Sequence, residues 1–170
     1  MNTAIQLRSS DMADRAAILG VVRDAFTADG HDGQEEVDIV EAVWRLGVAA
    51  DHLDVVAILR GVIAGHVLGS WGHLGGRQVI GIAPLSVSPR YQRMGVGLAL
   101  MSELIRRADE LPLVVLLGNP KYYHRFGFEP AGPLGITYPP AGPDSPHFQV
   151  RRLSSYAPEF QGEYTYAWEA

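Results

Sequence analysis

Apolar and polar positions alternate from Ile5 to Arg8, the two-residue period of a half-buried strand. Ser10 and Asp11 then offer N-cap side chains for a helix from Met12 to Phe26, with Ala16, Leu19, Gly20, Arg23 and Phe26 along its predicted stripe. The run Asp29-Gly30-His31-Asp32-Gly33 breaks that helix. A second one, Gln34 to Leu46, places Val37, Val40, Val43 and Trp44 on one side and Glu35, Glu36, Asp38 and Glu41 on the other.

Strand patterns fill the middle of the chain. Asp54 to Leu59 and Val62 to Ser70 are separated by Arg60-Gly61, a two-residue hairpin connection. His73 to Arg77 reads as another turn, leading into Gln78 to Val87, where Pro84 cannot donate a ladder hydrogen bond and predicts an interruption. From Gly95 to Glu110 the residues Gly97, Leu100, Met101, Leu104, Ile105 and Ala108 recur at helical spacing. The aliphatic run Leu113 to Leu117 predicts a strand buried on both faces and parallel to its neighbour, so that strand, helix and strand form a βαβ unit. Asn119 with Pro120 can open a short helix that Gly127 closes. Beyond lie a Pro- and Gly-rich stretch, Pro130 to Pro146, and strands over Phe148–Leu153 and Tyr164–Glu169.

The length of 170 residues predicts a single domain, residues 1–170. With 47% hydrophobic and 19% charged residues the chain has apolar material enough to offset chain entropy, which excludes wholesale disorder. Fourteen basic against nineteen acidic residues leave a net charge of -5, which argues against nucleic acid or an anionic membrane as partner. Lys121 is the only lysine, so the other thirteen of the fourteen cations are arginine, whose planar fork suits phosphate. The absence of cysteine excludes a disulfide framework, a thiolate metal site and a Cys nucleophile. The N-terminal residues lack the charge and apolar pattern of a signal peptide, and the longest aliphatic run, Leu113 to Leu117, falls far short of a spanning helix, so a cytoplasmic setting is expected. His52, His66, His124 and His147 are scattered without ligand spacing; no metal site is expected, and His66 reads as a hydrogen-bonded structural residue within a strand.

The informative segment runs from Val87 to Leu100. A strand ends, a short turn follows, and a helix starts on Gly95 and Gly97. The first N–H groups of a helix have no intrahelical partner and, with the helix dipole, favour an anion, which glycines allow to approach closely. Between Arg90 and Arg107 stand four arginines and one acid, Glu103, a local basic pocket in an acidic chain. A dinucleotide fingerprint requires a small residue where Leu100 stands and an acid where the next strand ends in Gly118-Asn119; a phosphate loop requires Lys-Ser or Lys-Thr. Neither pattern is met.

Gln92-Arg93-Met94-Gly95-Val96-Gly97 resembles the acetyl-CoA signature of the GCN5-related N-acetyltransferase (GNAT) superfamily, Gln/Arg-x-x-Gly-x-Gly/Ala. Gly118-Asn119-Pro120-Lys121-Tyr122-Tyr123-His124-Arg125-Phe126-Gly127-Phe128 is similar to a segment of its YhbS-like subgroup, with Asn119 where Asp is usual. The resemblance implies an α/β (α+β) fold: a twisted mixed, mostly antiparallel sheet with a splayed parallel strand pair and helices on both faces. It implies acetyl-CoA as cosubstrate, its pyrophosphate on the backbone of Gln92, Arg93, Met94, Gly95, Val96, Gly97 and Leu98, with Arg90 or Arg93 on the phosphates. The pantetheine arm would pair with the strand edge at Leu85, Ser86 and Val87, next to the disruption at Pro84, and Asn119, Tyr122 and Tyr123 would complete the cofactor site.

Acetyl transfer to an amine needs a neutral nucleophile, an oxyanion hole and a proton for the leaving thiolate. Tyr123 occupies the position that resembles the superfamily's general acid; the alternative is that it packs beneath the cofactor. A backbone N–H near Leu85 can hold the oxyanion. Ile82 to Val87 contains no carboxylate, which leaves Glu35, Glu36, His31, His73 or a chain of waters as base. Trp44 and the loop Tyr138-Pro139-Pro140 would border the acceptor. The expected function is direct transfer of acetyl from acetyl-CoA to a primary amine, of a small molecule or of a protein. The alternatives are a non-enzymatic acyl-CoA-binding or sensing module and a dinucleotide-dependent oxidoreductase. A homodimer is the expected association by its general frequency.

Overall fold

The computed structural model describes residues 4–28, 30 and 32–169. They form two compact units: residues up to Gly69 together with Ala83–Arg107, and Ser70–Ile82 together with the chain from Ala108 onward.

In the first unit β1 (Gln6–Ser9) runs antiparallel to β2 (Ala49–Leu59), with Gln6 opposite Ile58 and Ser9 opposite Val55. Asp11 is the N-cap: its carboxylate accepts from Ala13 N at 2.9 Å, while the Asp14 carboxylate accepts from Asp11 N at 2.8 Å, a reciprocal capping box. The first turn, Met12–Asp14, is a 3-10 turn, and α1 follows over Arg15–Ala28. Its buried stripe is Ile18, Val21, Val22 and Ala25 rather than the stripe expected through Ala16, Leu19 and Arg23. The β-branched residues at i, i+3 and i+4 outweigh the weaker apolarity of Ala16 and Gly20. α2 (Gln34–Leu46) buries Val37, Val40 and Val43 as expected and ends on Gly47, whose left-handed backbone (φ 68°) returns its N–H to Trp44 O and Val43 O.

The strand order of this unit is β1-β2-β3-β4, with β3 over Val62–Leu74 and β4 over Arg77–Val87, each also contributing its other half to the second unit. Arg60 (φ 54°) and Gly61 (φ 78°) make the two-residue hairpin turn whose positive φ values match strand twist. α3 (Val96–Arg107) buries Val96, Gly97, Leu100, Met101 and Leu104. It seats closely because Gly65 of β3 has no side chain: a β-carbon there would stand 2.7 Å from Val96 Cγ1 and 2.9 Å from Leu100 Cδ1.

The second unit has the order β3-β4-β5-β8-β6. The expected parallel pair is present: β5 (Leu113–Leu117) lies beside β4 with Ile80 opposite Val114 and Gly81 opposite Val115. The ladder register ends there. β8 (Phe148–Arg152) pairs antiparallel with β5 and with β6 (Glu129–Pro130). β9 (Gly162–Tyr166) pairs antiparallel with β3 and parallel with the two-residue β7 (Ile136–Thr137) of the Pro- and Gly-rich segment, a second parallel pair. α4 (Pro120–Tyr123) has Asn119 as N-cap, and a 3-10 turn carries it to Gly127 (φ 83°). The core gathers Leu74, Val79, Leu113, Val115 and Val150 around the aromatics Tyr138, Phe148, Tyr164 and Tyr166.

Candidate active site

In the first unit β4 leaves the sheet through a 3-10 turn, Pro89–Tyr91, into the loop that opens α3. Arg93 (φ 64°) and Gly95 (φ 86°) both adopt the left-handed conformation. For Arg93 that costs about 1–2 kcal/mol, a strain found where a loop must turn its N–H groups to one side. Ala99 N reaches Gly95 O at 3.0 Å, so the N–H groups of Val96, Gly97 and Leu98 precede the first carbonyl helix geometry offers. Gln92, Arg93, Met94 and Gly95 are exposed, and the loop is pinned from below by the Gln92 amide donating to Val87 O at 3.3 Å. Of the seven predicted phosphate-loop residues, Gln92 to Gly95 and Leu98 are exposed while Val96 and Gly97 are buried, and Gln92 N donates to Pro89 O at 3.5 Å.

The basic pocket is smaller than the sequence implied. Arg106 is committed to Glu103 at 2.6 and 3.0 Å, which holds the Glu103 carboxyl below its ordinary range, and Arg107 donates to Ser9 Oγ at 2.8 Å and to His52 O at 3.1 Å. Arg106 is thus paired within α3, and Arg107 ties the C-terminal end of that helix to β1 and β2. Arg90, stacked 5.8 Å over the Tyr91 ring, and Arg93 are left at the loop.

Leu85 and Val87 are half-buried, whereas the Ser86 side chain is buried. Beside this strand, β2 and β3 carry a polar cluster that sequence reasoning only half found. Asp54 Oδ2 accepts from Trp44 Nε1 at 2.9 Å, and Asp54 Oδ1 lies 2.7 Å from His66 Nε2. His66 is fully buried. Burial raises the Asp54 carboxyl, but hydrogen bonding and charge from His66, with bonds from Ser10 and Trp44, outweigh it and hold the group below its ordinary range. Arg15 stacks 4.7 Å over the Trp44 ring. His66 is hydrogen-bonded, as expected; Asp54, a buried carboxylate at the head of the apolar run Val55 to Leu59 in β2, lies outside the site expected from the sequence.

In the second unit Asn119 Oδ1 accepts from Lys121 N at 3.0 Å, and Asn119 O accepts from Tyr122 N and Tyr123 N. Asn119 therefore caps α4 as an acceptor, a task that needs no charge. Gly118 O, at the end of β5, accepts from the Gln149 amide at 3.0 Å. Tyr122 and Tyr123 are half-buried and packed edge to face at 4.9 Å, with Arg125 over Tyr122 at 4.4 Å. Burial, and secondarily Tyr122, push the Tyr123 phenol above its ordinary value, so it is protonated at neutral pH and a weaker acid than free tyrosine. Tyr138 is buried in the aromatic core, stacked 5.2 Å from Phe148 and bonded to Glu169, and does not form a rim as expected.

Of the candidate bases, Glu35 and His73 are exposed, and His31 lies outside the described residues. Glu36 is half-buried, with Oε2 shielded and without a hydrogen-bond partner among the described residues. No group of three or more metal-ligating side chains occurs among the described residues, nor any helix long and apolar enough to cross a membrane.

The loop turned by Arg93 and Gly95 at a strand-to-helix junction and the mostly antiparallel sheet with its parallel pair put the chain in the mixed α/β class. Residues 18–128 match the model of the acetyltransferase (GNAT) family, and the chain belongs to that family. It is 35% identical over 112 residues to the uncharacterized N-acetyltransferase YjhQ of Escherichia coli K12, covering 62% of each chain. With the uncharacterized N-acetyltransferase YhbS of the same organism it shares 38% identity over 82 residues, 47% of this chain and 48% of YhbS. The matched stretches thus span less than two thirds of these relatives. Among solved structures, that of YhbS from Escherichia coli in complex with CoA superposes with a TM-score of 0.86 at 28% identity over 98% of this chain and 91% of that one. A GNAT family acetyltransferase from Brucella melitensis in complex with acetyl-CoA gives 0.78 at 27% identity, over 99% and 100%.

Proposed function

We propose that this protein transfers the acetyl group of acetyl-CoA directly to a primary amine. The observation that carries the reading is the loop from Gln92 to Leu98, whose left-handed Arg93 and Gly95 and unpartnered helix N–H groups form an anion cradle at the end of β4. The pyrophosphate binds that loop and the pantetheine amides pair with the backbone of Leu85 to Val87; Asn119, Tyr122 and Tyr123 are the further residues assigned to the cofactor. Relatives bound to CoA and acetyl-CoA support the choice of cosubstrate. The amine attacks the thioester carbonyl, a backbone N–H near Leu85 holds the oxyanion, and the phenol of Tyr123 returns a proton to the thiolate. The acceptor is a small amine or a protein amine, and the setting is cytoplasmic.

One observation favours a second reading, a module that binds acyl-CoA without turnover: burial makes Tyr123 a weaker acid, and Ile82 to Val87 offers no carboxylate base. Thermal unfolding with acetyl-CoA, CoA or NAD, followed by an amine screen, separates the readings. Stabilisation by acetyl-CoA and CoA but not NAD, with acetylation of at least one amine, supports transfer; stabilisation without acetylation or slow hydrolysis supports the module; stabilisation by NAD alone rejects both.

A further inference from the structure

Three polar side-chain atoms in the first unit are buried and have no hydrogen-bond partner among the described residues: Glu36 Oε2, His66 Nδ1 and Ser86 Oγ. His66 is 0% exposed and Ser86 1%. Their separation in sequence hides their proximity. Ser88 N donates to Ala64 O at 2.8 Å, fixing the end of β4 against the start of β3. Counted two residues inward from that bond along antiparallel strands, the regular ladder sets His66 opposite Ser86, in keeping with Ser86 O, which a β-carbon on the adjoining Gly65 would approach to 3.1 Å; side chains at alternate positions share a face. Directly opposed residues have β-carbons about 4.5–5.5 Å apart, a span that one water can bridge between a ring nitrogen and a hydroxyl.

The state of His66 follows from its other side. An ionised carboxylate only accepts hydrogen bonds, and Asp54 already accepts from Trp44 with one oxygen, so the contact between Asp54 and His66 Nε2 places the ring hydrogen on Nε2. In the neutral ring Nδ1 then carries a lone pair. A buried lone pair and a buried hydroxyl left unbonded are expensive unless a guest serves both. They stand on the strand whose neighbours Leu85 and Val87 take the thioester arm in the reading above.

We propose that Asp54 and His66 form the proton-accepting end of the acceptor side of the site, reached from the amine through a water held between His66 Nδ1 and Ser86 Oγ. The inference rests on the acetyl-transfer reading. The acceptor ammonium gives a proton to the water, which passes one to His66 Nδ1; the imidazolium faces the Asp54 carboxylate. The freed amine lone pair forms the C–N bond at the thioester carbonyl carbon, and the C–S bond breaks with its electron pair on sulfur. The proton shed by the new amide nitrogen ends on that sulfur, and His66 releases its proton to solvent. His66 and Asp54 act through the relay and are positioning residues rather than groups in contact with substrate.

The test compares wild type, Ser86→Ala, His66→Gln and the double variant with acetyl-CoA and a panel of putrescine, tryptamine and an alanyl peptide. Ser86→Ala removes only an unbonded hydroxyl and is expected to keep the melting temperature, which protects the test should His66→Gln fold poorly. The expected result is a loss of at least tenfold in kcat for each single variant with acetyl-CoA affinity within twofold of wild type. The double variant should be no slower than the worse single one, and a normal solvent isotope effect on wild-type kcat should shrink in Ser86→Ala. An active wild type with an equally active Ser86→Ala and an unchanged isotope effect overturns the relay alone. A wild type that binds acetyl-CoA but acetylates none of the panel overturns the transfer reading and the relay with it.

Discussion

The ring of Tyr123 lies across Cα of Gly118, so close that a β-carbon on Gly118 would stand 2.5 Å from Tyr123 Cε2. The glycine that ends β5 therefore sets the height of the proposed acid above the strand. Gly118→Ala must move the ring or the backbone, an overpacking that costs about 1–3 kcal/mol. It is expected to lower both the melting temperature and kcat, whereas Tyr123→Phe keeps the ring and is expected to lower kcat at least tenfold with acetyl-CoA affinity little changed. Calorimetry and steady-state kinetics on the two variants check the pair; a Tyr123→Phe enzyme with wild-type kcat removes the acid role.

The phosphate loop makes an opposed pair of predictions. Gly95 has open space beside it, the nearest atom to a β-carbon being Ile5 Cδ1 at 4.0 Å, so the objection to a side chain is its φ of 86°. Gly95→Val forces a β-branched residue into a left-handed conformation and is expected to abolish the acetyl-CoA-induced rise in melting temperature by turning the N–H groups away. Arg93→Gly relieves about 1–2 kcal/mol of left-handed strain, offset in part by the entropy of glycine, and deletes a phosphate partner. Its apo melting temperature should hold or rise while acetyl-CoA binding weakens severalfold.

Much of this arrangement is legible in the chain because it is local. The hairpin at Arg60-Gly61, the limits of α2 and β5, the cap at Asn119 and the left-handed stop at Gly127 each depend on residues within a few positions, and each falls where the pattern puts it. The parallel pair follows from an uninterrupted aliphatic run beside a helical repeat. What the pattern does not carry is choice among long-range partners. Arg106 and Arg107 read as part of a basic pocket until Glu103, Ser9 and His52 claim them. Tyr138 reads as a rim residue beside two prolines until Phe148, Tyr164 and Tyr166 surround it. Asp54 and His66 are twelve residues apart on different strands, and only the register joins them.

The aromatic core of the second unit makes the protein sensitive to alkali. Burial raises the phenols of Tyr123, Tyr138, Tyr164 and Tyr166 above their ordinary value, with Glu169 adding to the rise at the last three. In the unfolded chain these groups ionise near pH 10. Above that pH the unfolded state has shed protons that the folded state retains, so stability is full below about pH 10 and falls as pH climbs toward the folded values. Absorbance at 295 nm should therefore show a fraction of the seven tyrosines titrating only with unfolding, and Tyr138→Phe should shift that step to higher pH. Simple titration of all seven near pH 10 in a still-folded protein contradicts the expectation.

At the other end of the pH range Asp14 controls the entry of α1. Arg8 donates to both of its oxygens, at 2.7 and 2.9 Å, and Asp11 N donates at 2.8 Å. The Arg8 hydrogen bond, against the opposing effect of burial, brings its carboxyl down to about 2. A carboxyl lowered in the folded state contributes stability that is fully present above its unfolded value, near 4, and is lost as pH falls through the folded value. Asp14→Asn keeps the size of the side chain but removes the charge that Arg8 and the helix start require, and loss of such a cap costs about 1 kcal/mol. The variant should melt several degrees below wild type at pH 7, and the gap should narrow as pH is lowered from 4 to 2. A gap that stays constant over that interval assigns the effect to packing and not to the charge of Asp14.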